Sequence, residues 1–247
     1  MSVARHTTDN LPAQRRAAHW HGVIAEAYFP LRMTFRDAAR FQGSLAMRDV
    51  GDVGLSRLRT EPVQYERQKH HIAATAEEQY LITIPLQAPV EFRQLGREVR
   101  CDPGGFLLER GDEPYRFSYA SANDLCVLKV AKSLLGEKLR EPDRFCALVF
   151  DGREGLGGLF TTMVQQVERL GNDASSPVLG RHLIELLALS LDRNTDAGAG
   201  SAVRAAHLRR AQTFVRRNLS QSDLSPGMVA DACGISKRYL HELFADV

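Results

Sequence analysis

Residues 223–244 read DLSPGMVADACGISKRYLHELF, and this stretch settles how the C-terminal region folds. Ser225 and Pro226 are typical of a helix start, because the serine side chain can cap the helix and proline has no amide hydrogen to leave unpaired. Gly234 then supplies the left-handed residue that ends this helix, and Ser236 can cap the next one. The stretch therefore predicts a helix-turn-helix.

The second of these helices, KRYLHELF, has two different sides. Three apolar residues are expected to hold it on a helical bundle: Leu240, Leu243 and Phe244. Arg238, His241 and Glu242 lie at i, i+3 and i+4 on the other face, where arginine can pair with guanine and glutamate can accept from cytosine. The predicted DNA-contacting residues are Ser236, Lys237, Arg238, His241 and Glu242.

The charge of this region agrees with a nucleic-acid partner. The whole chain carries a formal net charge of only +2, but residues 203–219 contain five arginines and no acidic residue. A basic region on a near-neutral chain is typical of a nucleic-acid module beside a neutral domain. A solvated helix face explains the same charges equally well.

Upstream of this region the pattern changes twice. Leu11–Phe29 has apolar residues at helical spacing, which predicts a helix. Residues 40–131 consist of short apolar or alternating runs separated by turn signals. Many short strands without crossover helices predict an antiparallel barrel or sandwich.

Residues 132–192 return to helical spacing, with a short helix at KSLLGEKLRE followed by two apolar helices. We expect these two helices, within 155–192, to form a hairpin that covers the barrel and pairs with a second copy of the chain. The domain boundaries that follow are 1–193 for the barrel and hairpin, 194–202 for a flexible linker, and 203–247 for the helix-turn-helix segment.

These motifs resemble the AraC/XylS family of transcription regulators. The segment DLSPGMVADACGISKRYLHELF resembles that family's first helix-turn-helix, while GREVRCDPGGFLLERGDEPYRFSY and LKVAKSLLGEKL resemble parts of its ligand-sensing domain. The resemblance implies an α+β chain with a cupin-like antiparallel β-barrel and a helical hairpin, followed by an all-α helix-turn-helix segment. It further implies a homodimer that binds DNA in the major groove and a small effector, aromatic or anionic.

One departure from the family pattern leaves the function open. A linker helix and a second helix-turn-helix normally follow the first, and here residue 247 is the last, so we expect weak DNA binding by this chain alone. Either the chain or its gene is shortened, or the protein works with a single recognition helix. An alternative is a shortened paralogue that dimerises with a full-length regulator and silences it.

The effector and any enzymatic site are less well defined by the sequence. Arg57, Arg67, His70 and His71 lie near expected strands and are candidates to meet an anionic effector. A cupin enzyme is a less favoured alternative, because adjacent histidines in a strand point to opposite faces and no metal-ligand set converges. No catalytic residue, metal or cofactor is predicted.

The cysteines and the absence of a signal sequence predict a cellular compartment. The four cysteines are widely spaced and are expected to be reduced and mostly buried, and the N-terminus lacks an apolar signal region. We therefore expect a cytoplasmic protein that does not associate with membranes.

Overall fold

The structure is a computed structural model that describes residues 3–73, 78–170, 177–218, 225–233 and 236–244. For 193–210 and for residues 213, 217, 238, 239, 242 and 243 it describes the backbone alone. The chain forms two compact units, Met1–Leu191 and Asp192–Val247.

The first unit consists mainly of strands, and most of its helices lie towards its two ends. The helices are α1 (Ala13–Ala27), α2 (Lys69–Ala73), α3 (Lys132–Gly136), α4 (Gly155–Arg169), α5 (Pro177–Arg217), α6 (Pro226–Cys233) and α7 (Lys237–Phe244). The strands are β1 (Ala4–Thr7), β2 (Arg32–Phe35), β3 (Gly43–Val50), β4 (Val53–Thr60), β5 (Val63–Arg67), β6 (Gln79–Pro85), β7 (Val90–Gln94), β8 (Arg97–Cys101), β9 (Gly105–Arg110), β10 (Tyr115–Ser118), β11 (Asn123–Ala131) and β12 (Val149–Asp151).

The strands form two antiparallel sheets, as the sequence predicts. The larger sheet has the order β1-β3-β4-β11-β6-β9-β12, and the smaller has the order β2-β5-β10-β7-β8. The sequence pattern did not predict three short strands at the sheet edges, β1, β2 and β12. Edge strands carry little apolar signal of their own, because their position depends on pairing with distant residues, such as Ala4 with Met47.

The larger sheet is buried on both faces. Along β11, Leu125 and Val127 belong to the apolar cluster between the two sheets, whereas Cys126, Leu128 and Val130 belong to the cluster beneath the helices. Because neighbouring residues of a strand point to opposite faces, a sheet covered on both sides needs nearly continuous apolar strands. This explains why β6 and β11 show runs rather than clean alternation.

Two helices of the first unit cover the outer face of the larger sheet. Phe160 and Val164 of α4 and Leu183 and Leu187 of α5 are buried in the same cluster as Leu128. Part of each apolar helix face remains outside this cluster, and four large apolar side chains are about half exposed: Leu159, Leu170, Val178 and Leu189. The residues expected to connect α4 and α5, 171–176, lie outside the described residues.

The second unit has a small core of its own. Ala211 of α5, Val229 and Ala230 of α6, and Leu240 of α7 are buried together. The predicted cap is present, since the Met228 amide donates to Ser225 Oγ at 3.4 Å. These contacts place three helices around one apolar cluster.

One detail of the predicted packing in this unit is wrong. Phe244 is 39% exposed, since it lies at the last residue of α7 and packs only in part. The predicted turn at Gly234 and the side chain of Leu243 lie outside the described residues.

The backbone of residues 194–202 also differs from the expected flexible linker. These residues are helical and form part of α5. The segment contains no proline and has alanine at 197, 199 and 202, so a helix can continue through it when both flanks are helical.

Candidate functional site

A cavity lies between the two sheets and is partly closed by the end of α1. The volume open to the centre of a water molecule is about 50 Å³, which is room for a few waters. Its apolar lining comes from Ile24, Leu31, Leu58, Leu81, Leu125 and Val127. Four aromatic rings also line it: Tyr28, Tyr65, Tyr115 and Phe117. The two remaining lining residues, Thr83 and Glu109, are polar.

Glu109 is a carboxyl group inside this apolar space. It lies on β9, is 3% exposed, and accepts a hydrogen bond from Thr83 Oγ1 on the neighbouring strand β6. Among the described residues its second oxygen has no hydrogen-bond partner. Burial raises the pKa of Glu109 to about 8, and the hydrogen bond from Thr83 offsets only part of this rise. The cavity therefore contains a carboxyl group that is largely protonated at neutral pH.

The tyrosines around Glu109 differ in whether their hydroxyl groups have a hydrogen-bond partner. Tyr28 donates to Ser56 Oγ at 2.6 Å, because Ser56 in turn donates to the Val127 carbonyl. The hydroxyl of Tyr115 has no hydrogen-bond partner within the described part of the chain. Burial raises the pKa of both Tyr28 and Tyr115, so both hydroxyls stay neutral. The cavity thus offers the second carboxyl oxygen of Glu109 to an incoming ligand.

The arginines predicted as effector contacts do not line this cavity. Arg57 of β4 pairs with Asp124 and lies 3.5 Å from Glu168 of α4, on the helix side of the sheet. Arg67 is 1% exposed, donates to the carbonyls of Gly111 and Pro30, and stacks over Phe29 with 3.9 Å to the ring centroid. Arg67 therefore joins a turn and a loop, which is a structural role.

The predicted histidine contacts lie elsewhere too. His70 and His71 belong to α2, a short helix between the strands β5 and β6. His71 Nδ1 accepts from the Gln68 amide at 3.1 Å, and burial and the neighbouring His70 lower the pKa of His71. Within the described residues, no group of three or more His, Cys, Asp or Glu side chains is placed to hold a metal ion. All four cysteines are free and buried, as predicted.

The predicted DNA-contacting residues all lie on α7 or directly before it. Ser236 precedes the helix, and its carbonyl accepts from the Leu240 amide at 2.9 Å. Lys237 and His241 are exposed. The side chains of Arg238 and Glu242 lie outside the described residues. Among the described residues, no helix is long and apolar enough to cross a membrane.

Glu109 was not singled out as a site residue by the sequence pattern, although a signal was available. In the run GFLLERG, Leu107 and Glu109 fall on the same face of a strand whose central residues, Phe106 to Leu108, are apolar. The carboxyl group of a glutamate is rarely fully buried unless it is paired with another group. The face itself could not be assigned, because both faces of this sheet are covered.

Comparison with known proteins places this geometry in a family. The AraC-binding-like domain matches residues 20–192, well over half of the chain. The transcriptional activator NphR of Rhodococcus sp is 24% identical over 232 residues, covering 91% of this chain and 69% of NphR. An uncharacterised protein of the nit 5′ region of Bacillus sp. (strain OxB-1) is 23% identical over 246 residues, covering 94% of each chain.

A solved structure has the same fold. The crystal structure of the AraC-like transcriptional activator CuxR superimposes with a TM-score of 0.66 at 19% identity, covering 99% of this chain and 89% of CuxR. The two-sheet architecture with its interior cavity and the match over residues 20–192 lead to one assignment. This chain belongs to the AraC-binding-like domain family.

Proposed function

We propose that the chain is a ligand-responsive transcription regulator of the AraC/XylS type, which binds specific DNA through α7. The observation that carries this proposal is the small core shared by α5, α6 and α7, in a chain whose first unit belongs to a family of effector-binding domains. Regulators among the relatives, such as the activator NphR, support the same reading.

The DNA-reading step uses the exposed side of α7. The buried Leu240 holds the helix on its neighbours, while Lys237 and His241 remain accessible. Arg238 and Glu242 follow the same helical spacing, and a bidentate arginine–guanine pair discriminates against a wrong base by about 1–3 kcal/mol. In this proposal the arginines of residues 203–219 contact phosphates, which adds affinity without sequence preference.

Fluorescence anisotropy at several salt concentrations tests DNA binding directly. The probe is the intergenic DNA beside the protein's own gene, and the control is a shuffled duplex of the same length and composition. We expect tighter binding to the intergenic probe and a loss of affinity of roughly tenfold or more between 50 and 200 mM salt, which corresponds to two or more phosphate contacts. Equal binding to both duplexes would contradict sequence-specific reading.

Dimerisation through α4 and the first part of α5 is the second element of the proposal. Leu159, Val178 and Leu189 are each at least half exposed on these two helices, and so is Leu170, directly after the end of α4. Scattered apolar residues on a surface are ordinary, but several on one pair of helices are typical of an interface. A second copy of this chain would cover them.

Leu189→Glu is expected to shift the chain from dimer to monomer, because a buried unpaired carboxylate is costly in an apolar interface. Sedimentation velocity at micromolar concentration measures the change. Leu148→Glu is the matched control, since Leu148 is also exposed but lies outside these helices, and it should leave the dimer intact. A wild-type chain that sediments as a monomer would refute this interface.

The alternative functions make different predictions in the same assays. A silencing paralogue would form mixed dimers with a full-length regulator and bind neither duplex by itself, even at low salt. A cupin enzyme would need a reactive group in the cavity, where Glu109 and Tyr115 are the unpaired polar side chains among the described residues. We favour the regulator, because the relatives of known type are transcriptional activators.

A further inference from the structure

Glu109 defines which chemical class of ligand the cavity accepts. We propose that the cavity binds a small organic ammonium ion, with Glu109 as its counter-ion and the surrounding aromatic rings as the walls of the site. This inference rests on the proposed function, since it names the effector class for the same cavity.

The carboxyl group of Glu109 is placed where a ligand in the cavity can reach it. Glu109 is 3% exposed, lines the cavity, and uses one oxygen for Thr83 Oγ1. Its other oxygen has no hydrogen-bond partner among the described residues. A ligand that donates a hydrogen bond to this second oxygen therefore adds a contact that the protein itself does not supply, and hydrogen bonds to charged groups are among the stronger ones.

The charge of the cavity lining disfavours an anionic ligand. None of the twelve lining residues is basic, so an anionic ligand would meet a carboxyl group and ring faces without a counter-ion. A cation instead gains from the carboxylate, and aromatic side chains such as Tyr28, Tyr65 and Tyr115 attract a cation that lies over a ring face. The cavity therefore favours a positive charge over a negative one.

The volume of the cavity limits the size of the ligand. With about 50 Å³ open to the centre of a water molecule, the cavity admits a ligand of only about four to six non-hydrogen atoms without rearrangement. A primary ammonium group on a short alkyl chain fits this space, because the apolar lining covers the chain while the charged end reaches Glu109. n-Butylammonium is a suitable probe.

Binding of such a cation should depend on pH. Glu109 must lose its proton to act as a counter-ion, and burial raises its pKa to about 8. The ionisable groups that face it from neighbouring elements are Tyr28 after α1, Tyr65 on β5 and Tyr115 on β10, with Arg67 beyond Tyr115. Burial raises the pKa of all three tyrosines, so they stay neutral across this range and Glu109 sets the pH response.

Calorimetric titration of the full chain with three isosteric probes tests the proposal. At pH 8.5 we expect n-butylammonium to bind at least about tenfold more tightly than n-butanol, and butyrate to bind more weakly than either. Between pH 8.5 and pH 6.5 the affinity for n-butylammonium should fall by roughly tenfold or more, because most of the Glu109 carboxyl is protonated at the lower pH.

Two variants separate the role of Glu109 from a general effect on folding. Glu109→Gln should lower the affinity for n-butylammonium at pH 8.5 to that for n-butanol and remove the pH dependence. Glu91→Gln removes an exposed carboxyl on β7 and should change neither. The fluorescence of Trp20, the only tryptophan and a member of the same core cluster, reports whether each variant is folded.

The outcomes distinguish this proposal from the proposed function. If n-butanol or butyrate binds as tightly as n-butylammonium, or if none of the three binds, the ammonium assignment is overturned. Binding to the intergenic DNA is measured without any ligand, so the DNA-binding proposal stands or falls by its own assay.

Discussion

Glu109→Gln is expected to raise the free energy of unfolding at pH 9 by roughly 3–5 kcal/mol relative to the wild-type chain. The pKa of Glu109 is about 8 in the folded protein, against 4.5 for an unperturbed glutamate. Between these values the folded state holds a proton that the unfolded state has lost. The contribution of Glu109 to the free energy of unfolding of the wild-type chain is therefore fully present below about pH 4.5. It falls by about 1.4 kcal/mol per pH unit as the pH rises towards 8.

The glutamine variant removes this titration and keeps the local contacts. Its side-chain carbonyl can accept the hydrogen bond from Thr83 just as the carboxyl oxygen does. Urea denaturation at pH 5, 7 and 9 should show that the wild-type chain loses stability relative to Glu109→Gln as the pH rises. The exposed Glu91→Gln serves as the control, and parallel pH profiles for wild type and Glu109→Gln would contradict a buried, ionisable Glu109.

Alanine at either of two helix glycines should have a comparably large effect. A Cβ atom on Gly157 of α4 would lie 1.9 Å from the Asp151 carbonyl oxygen, and one on Gly180 of α5 would lie 2.1 Å from the Val50 carbonyl oxygen. Both neighbours are backbone atoms that cannot rotate away. We expect Gly157→Ala and Gly180→Ala each to lower the free energy of unfolding by about 3 kcal/mol, because the helices must move off the larger sheet.

Gly22→Ala in α1 is the matched control for these two variants. A Cβ atom there meets nothing within 4 Å, so only the helix preference of alanine remains. This variant should gain about 0.5–1 kcal/mol. Chemical denaturation of the three variants measures the differences, and a Gly180→Ala chain as stable as Gly22→Ala would refute the close packing of α5 on the β3–β4 turn.

The elements that depend on local sequence could be predicted from it. Helix α1 and its buried residues Trp20 and Ile24 follow from helical spacing, and the start of α6 follows from Ser225 and Pro226. Both rest on interactions within a few residues of the chain, so a single sequence is enough to recognise them.

Elements that depend on distant contacts could not be predicted. Strand β1 exists because it pairs with β3 about forty residues away, and its own residues carry no apolar pattern. Glu109 faces the cavity only because the smaller sheet and α1 close over that side of β9. Arg67 is drawn into the interior by carbonyls of two separate loops, at Pro30 and Gly111, that the sequence does not show to be close.

The central claim is that α7 reads specific DNA, and the affinity of Arg238→Ala for the intergenic duplex tests it most directly. Arg15→Ala is the matched control, since it removes the same charge from an exposed position in α1. We expect Arg238→Ala to weaken binding to the intergenic duplex about 5- to 150-fold, equivalent to about 1–3 kcal/mol, while Arg15→Ala changes this binding little. Equal affinities for the two variants would contradict the assignment of α7 as the recognition helix.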